Sequence, residues 1–186
     1  MQWHPLHRTC GLVTAKVLML SIATLLSRIP DEAKPLASLA IGSLIMVCLV
    51  VLHGVGLYYV LRSNLRAERR LLVGRPHVLR VMVLFAWSVF LMMALHVSEI
   101  IAWALSLTNL GLIARAHDAI YFCANSYTTL GYGTVALETQ WRSIAPIIAI
   151  SGLFAFALTT SALVDVVKNQ RALIAHMEDN RAKKLQ

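Results

Sequence analysis

Long apolar runs separated by short polar stretches set the plan of the chain. Leu36 to Leu61 holds no charged residue over 26 positions and follows Pro35. At about 1.5 Å per residue, a helix of that length crosses a hydrocarbon core of about 30 Å. Val81 to Leu107 is a second such run, interrupted only by His96 and Glu99 toward its end. Ile144 to Val164 adds 21 uncharged residues between Arg142 and Asp165. Each run predicts a transmembrane helix.

A fourth run, Gly11 to Leu26, has 16 residues and contains Lys16. It reads as a short span, an interfacial helix or a signal peptide. Ser21 and Ala23 loosely resemble a cleavage site, but they fall inside the apolar run, which argues against the signal peptide. Charge placement favours a crossing. The expected fold class is an all-α membrane protein with four transmembrane helices, or three if this run stays on one side.

Composition agrees with a bilayer. Hydrophobic residues make up 58% of the chain and charged residues 14%, against about 25% charged in soluble proteins. A disordered chain, a disulfide scaffold and most soluble enzymes are excluded. The net charge is +8, and of the 17 Lys and Arg, six lie between Arg62 and Arg80 and five between Lys168 and Lys184. Basic clusters flanking apolar runs follow the positive-inside pattern. They place both termini and the Arg62 to Arg80 segment in the cytoplasm, and Arg28 to Pro35 and Thr108 to Arg142 outside. A multi-pass protein of the plasma membrane, the inner membrane in a bacterium, is expected. Arg62, Arg66, Arg69 and Arg70 share a helical face among Ser63, Asn64 and Glu68, outside any apolar span, and so do not read as a voltage sensor. Two readings stand for them: orientation alone, or contact with anionic lipid headgroups. Cys10, Cys48 and Cys123 show neither zinc spacing nor an obvious disulfide pair.

The outer segment from Asp118 to Thr134 is too apolar for an aqueous loop and too short to cross. About eleven residues from Asp118, the expected amino-terminal cap, make a helix of roughly 16 Å, half a bilayer. A half-helix followed by a Gly-rich extended segment, between two full spans, describes a re-entrant loop. Non-helical backbone survives at that depth only where protein buries it or where it lines water.

Thr129-Leu130-Gly131-Tyr132-Gly133 resembles the selectivity filter of the potassium channel superfamily. The resemblance covers roughly Val81 to Val167 and matches the two-span pore module of the bacterial ion channel type, here with extra amino-terminal membrane helices. It implies that backbone carbonyls of Thr129, Leu130, Gly131 and Tyr132 hold dehydrated potassium ions, each needing about eight oxygens. Carbonyls that all face one axis require alternating left- and right-handed backbone, a role for Gly131 and Gly133. The Tyr132 ring is expected to point away from the axis and brace the filter. Asn125, Thr128 and Thr134 join Asp118 as filter support. Leu130 stands where Val or Ile is usual, and Thr134 and Asn125 replace a carboxylate pair found in some members. Inactivation behaviour is therefore not carried over.

One filter strand per chain implies a homotetramer. Within Ile144 to Val164, Gly152 is either a hinge or a packing glycine. Helical spacing then puts Phe156, Thr159 and Leu163 on one stripe, with Thr159 facing the cavity and the other two as a candidate constriction. His96 and Glu99 share a face and read as an outer pH or metal sensor, or as an interhelical pair supporting the half-helix.

No nucleophile-base or metalloprotease arrangement is present, and no enzyme activity, nucleic-acid partner or cofactor is expected beyond potassium as the permeant ion. The organisation expected is residues 1–80 as an amino-terminal hairpin with a basic linker, 81–167 as the pore module and 168–186 as a short tail. A nonselective cation channel and a nonconducting membrane scaffold are the alternatives.

Overall fold

The computed structural model describes residues 29–73 and 78–183. Four helices follow in order among them: α1 (Lys34–Val73), α2 (Val78–Asn109), α3 (Ala116–Tyr127) and α4 (Ile144–Lys183), with a 3₁₀ turn at Thr139–Trp141 ahead of α4. Three segments are long and apolar enough to cross a membrane, Lys34–Arg70, Val78–Asn109 and Thr139–Met177. The chain is an all-α membrane protein. Gly11 to Leu26 lies outside the described residues.

The helices overrun the spans read from hydropathy. At 40 residues each, α1 and α4 are about 60 Å long, twice a hydrocarbon core. Beyond Leu61 the run Arg-Ser-Asn-Leu-Arg-Ala-Glu-Arg-Arg is rich in good helix formers and lacks Gly and Pro, so nothing stops α1 before Gly74 and Pro76. The stretch expected as a linker is thus largely a helical extension, with Arg62, Arg66, Arg69 and Arg70 exposed on it. The tail from Lys168 likewise continues α4.

The chain packs as two compact units that do not follow chain order. One comprises the described residues up to Ile45 with Ile100–Ala149. Trp103, Leu107, Tyr127, Ile144 and Ile148 are its largest fully buried side chains. The Ser38 and Ser143 hydroxyls pair, and Ser38 Oγ also donates to the Pro35 carbonyl at 2.8 Å. Ile147 fills the space that a side chain at position 42 would take: a Cβ on Gly42 would lie 2.8 Å from its Cδ1. Close backbone approach at small residues is how membrane helices gain dispersion contacts where lipid offers no hydrophobic drive.

The other unit comprises Met46–Glu99 and the residues from Ile150 onward. Leu57, Val60, Met92, Ala162 and Val166 form its core, with Phe85, Leu95 and Leu163 packed against it. Gly56 admits Leu95, and Ser88 Oγ donates to Asn64 Oδ1 at 2.8 Å, a buried polar link between α1 and α2. Val51, Leu52, Tyr59, Val83, Trp87 and Phe90 remain exposed. So much uncovered apolar surface suits lipid or other subunits rather than water.

Candidate functional site

The half-helix is present as α3, 12 residues or about 18 Å long. Ala119, Phe122, Cys123 and Tyr127 are buried along one face, at the spacing of a single helical stripe. Its start differs from expectation. The cap position is Arg115, in extended conformation, and Asp118 lies inside the first turn. Asp118 Oδ2 accepts from Arg115 Nε at 2.7 Å, so Asp118 favours the positive end of the helix dipole and does not cap it.

The carboxyl end carries the geometry that matters. The Thr129 amide donates to Ser126 O and the Leu130 amide to Asn125 O, both at 3.0 Å. These two bonds define a Schellman motif, whose left-handed position is usually glycine. Here it is Thr129, at φ 59°. Gly131 is also left-handed, at φ 75°, and Leu130 between them is not. The backbone therefore alternates over Thr129, Leu130 and Gly131, and the left-handed residues are Thr129 and Gly131, in place of the expected Gly131 and Gly133. Gly133 is required for another reason: a Cβ there would sit 2.8 Å from Asn125 Nδ2. Asn125 thus abuts the segment after α3 through Gly133. Thr128 Oγ1 donates back to the Ala124 carbonyl at 2.7 Å. Thr129 through Tyr132 and Thr134 are exposed on the single chain, Leu130 by 58% and Tyr132 by 68%. The Tyr132 ring has no close cover from its own subunit.

The α4 stripe is a correction. Phe156 stacks on His96 with ring centroids 4.4 Å apart, the Thr159 hydroxyl meets His53 Nε2 at 2.9 Å, and Leu163 packs against the Leu57–Met92–Val166 core. Thr159 and Leu163 are thus half-buried against the chain's own helices, whereas Phe156 stays 39% exposed despite its stack on His96. Gly152 is buried within unbroken helix. The uncovered stripe of α4 is Leu153, Ala157, Thr160 and Val164.

His53 is the functional candidate that sequence reasoning passed over, the one histidine within the apolar run from Leu36. It is 1% exposed, and its Nδ1 lies 3.1 Å from Glu99 Oε1. His96 and Glu99 are joined by His53 and Thr159, so the pair belongs to a wider buried polar cluster.

The described residues thus form a multi-pass helical membrane protein with a half-helix and an exposed, glycine-containing segment of alternating backbone before its last span. Residues 78–169 match the family model described as ion channel. That segment, just under half of the chain, is similar to the ion channel family. Neither a curated protein nor a solved structure matches the chain.

Proposed function

We propose that the chain is one subunit of a homotetrameric potassium channel, conducting passively through carbonyls of Thr129, Leu130, Gly131 and Tyr132. The observation that carries this reading is Thr129 in the left-handed position. For a residue with a Cβ that conformation costs about 1–2 kcal/mol, and glycine would fill it freely. Strained residues of this kind cluster at ligand clamps. A threonine there adds a hydroxyl at the inner end of the strand, and the alternation it begins turns successive carbonyls to one side. Each chain supplies one such strand, and four close a ring.

In the tetramer the uncovered α4 stripe, Leu153, Ala157, Thr160 and Val164, lines the inner path. The extra helix α1 lies toward lipid, and the basic extensions orient both termini to the cytoplasm. Arg70 and Arg80 share with Leu79, Val83 and Trp87 the wall of a groove of about 470 Å³. An apolar groove bordered by two arginines suits an anionic lipid, its acyl chain along the wall and its phosphate within reach of their charge.

Reconstitution into liposomes under a potassium gradient tests the reading. Potassium flux with a reversal potential following potassium, abolished by Gly131→Asp, is the expected result. A reversal potential that follows sodium equally supports a nonselective filter, and absence of flux in every condition supports a scaffold.

A further inference from the structure

His53 of α1 and His96 and Glu99 of α2 are 1%, 4% and 6% exposed. Their ligating atoms all lie within 4.8 Å of one another. His53 and His96 are in ring contact, with centroids 5.1 Å apart and planes at 45°. The donor set of this cluster suits a metal cation. Two imidazole nitrogens and one carboxylate oxygen are the ligands of a first-row divalent transition ion, whereas Mg²⁺ and Ca²⁺ prefer oxygen throughout.

The geometry points to a transition-metal site formed by His53, His96 and Glu99, independent of whatever ion the filter conducts. Tetrahedral bonds of about 2.0 Å separate neighbouring donors by about 3.3 Å. The 3.1 Å between His53 Nδ1 and Glu99 Oε1 is already close to that value, and side-chain rotation closes the rest. His96 and Glu99, three apart on one helix, present both donors to the same side. Thr159 Oγ1, 2.9 Å from His53 Nε2, is the positioning group: in the tautomer that metal binding requires, Nε2–H donates to it and the Nδ1 lone pair is left for the metal. Three protein ligands leave a fourth position for water. Binding would pin α1 to α2, and through Thr159 and the Phe156–His96 stack it would report to α4. Metal occupancy is thereby linked to the helix that carries the proposed pore lining.

The test uses the full-length protein in detergent micelles, stripped with chelator and titrated with Co²⁺ and then Zn²⁺. One equivalent of Co²⁺ per chain with the visible bands of a tetrahedral nitrogen-oxygen site, displaced by Zn²⁺ and not by excess Mg²⁺, is expected. Glu99→Gln, which keeps volume, and His53→Ala should each weaken Zn²⁺ by more than about 100-fold, and Thr159→Val by about tenfold. A His4→Ala, His7→Ala, His117→Ala variant should bind as the wild type does. X-ray absorption of the Zn²⁺-loaded wild type should show two imidazoles, a readout independent of any variant's folding. Absence of stoichiometric binding, displacement by Mg²⁺, a metal without two imidazoles, or equal affinity in Glu99→Gln and His53→Ala overturns the site. Potassium flux plays no part in these readouts, so loss of the channel reading leaves the result intact.

Discussion

Thr129 and the two glycines after it separate folding from function at the residue scale. Thr129→Gly relieves about 1–2 kcal/mol of left-handed strain and adds roughly 0.5–1 kcal/mol of backbone entropy cost, so thermal stability in detergent should hold or rise slightly. Potassium over sodium selectivity, read from reversal potentials, should fall, because the hydroxyl is lost. Gly131 and Gly133 look equivalent in the motif and are not. Nothing lies within 4 Å of a Cβ at Gly131, and its constraint is φ alone; at Gly133 the obstacle is Asn125. Asn125→Ala should therefore restore stability and flux lost in Gly133→Ala, with a coupling of about 1–3 kcal/mol, and should do nothing for Gly131→Ala. The motif was legible because its residues are contiguous. The reason for each glycine was not, since a clash with a side chain eight positions earlier depends on how the chain returns past α3.

For the helices, the quantity that decides is length against bilayer thickness. α1 and α4 are each about twice as long as a crossing requires, so their ends serve something other than spanning. Along α1 the join to α2 includes Ser88 Oγ donating to Asn64 Oδ1. Ser88→Ala leaves a buried amide oxygen without that donor and should cost about 1–2 kcal/mol in thermal unfolding, reversed in part by Asn64→Leu. The exposed Arg62, Arg66, Arg69 and Arg70 are worth roughly 1 kcal/mol each against an anionic surface. Replacing all four by Gln should weaken any dependence of flux on anionic lipid. An unchanged dependence with inverted orientation assigns them to topology alone. Hydropathy located each helix core to within a few residues, because transfer into lipid is a local property of the chain. It missed the extensions, since helix propensity continues through charged residues that hydropathy scores as loop.

On the scale of the whole molecule, the single chain leaves Thr129 to Tyr132 and one stripe of α4 uncovered. If four subunits close around them, a thiol reagent should separate the two stripes of α4. In a Cys48→Ala background, Thr160→Cys should react quickly with a water-soluble reagent and block flux, while Thr159→Cys, set against His53, reacts at least about tenfold more slowly. Equal rates would contradict the assignment of the lining. Native mass spectrometry should give a tetramer, weakened by Tyr132→Ala if that uncovered ring braces a neighbour.

The order of apolar runs, the half-helix between the last two and the glycine-containing pentapeptide after it are all readable from the chain, because each is contiguous and each is set by length and glycine chemistry. Which face of α4 packs was not readable. In a soluble helix the buried stripe contrasts with a polar one, but a membrane helix is apolar all round, so spacing alone gave a stripe without saying what it faces. Only the packed structure set Thr159 against His53 and Leu163 against the core, and only it brought His53 to His96 and Glu99. Those residues lie on different helices, and their meeting depends on helix rotation and register, which no local pattern specifies.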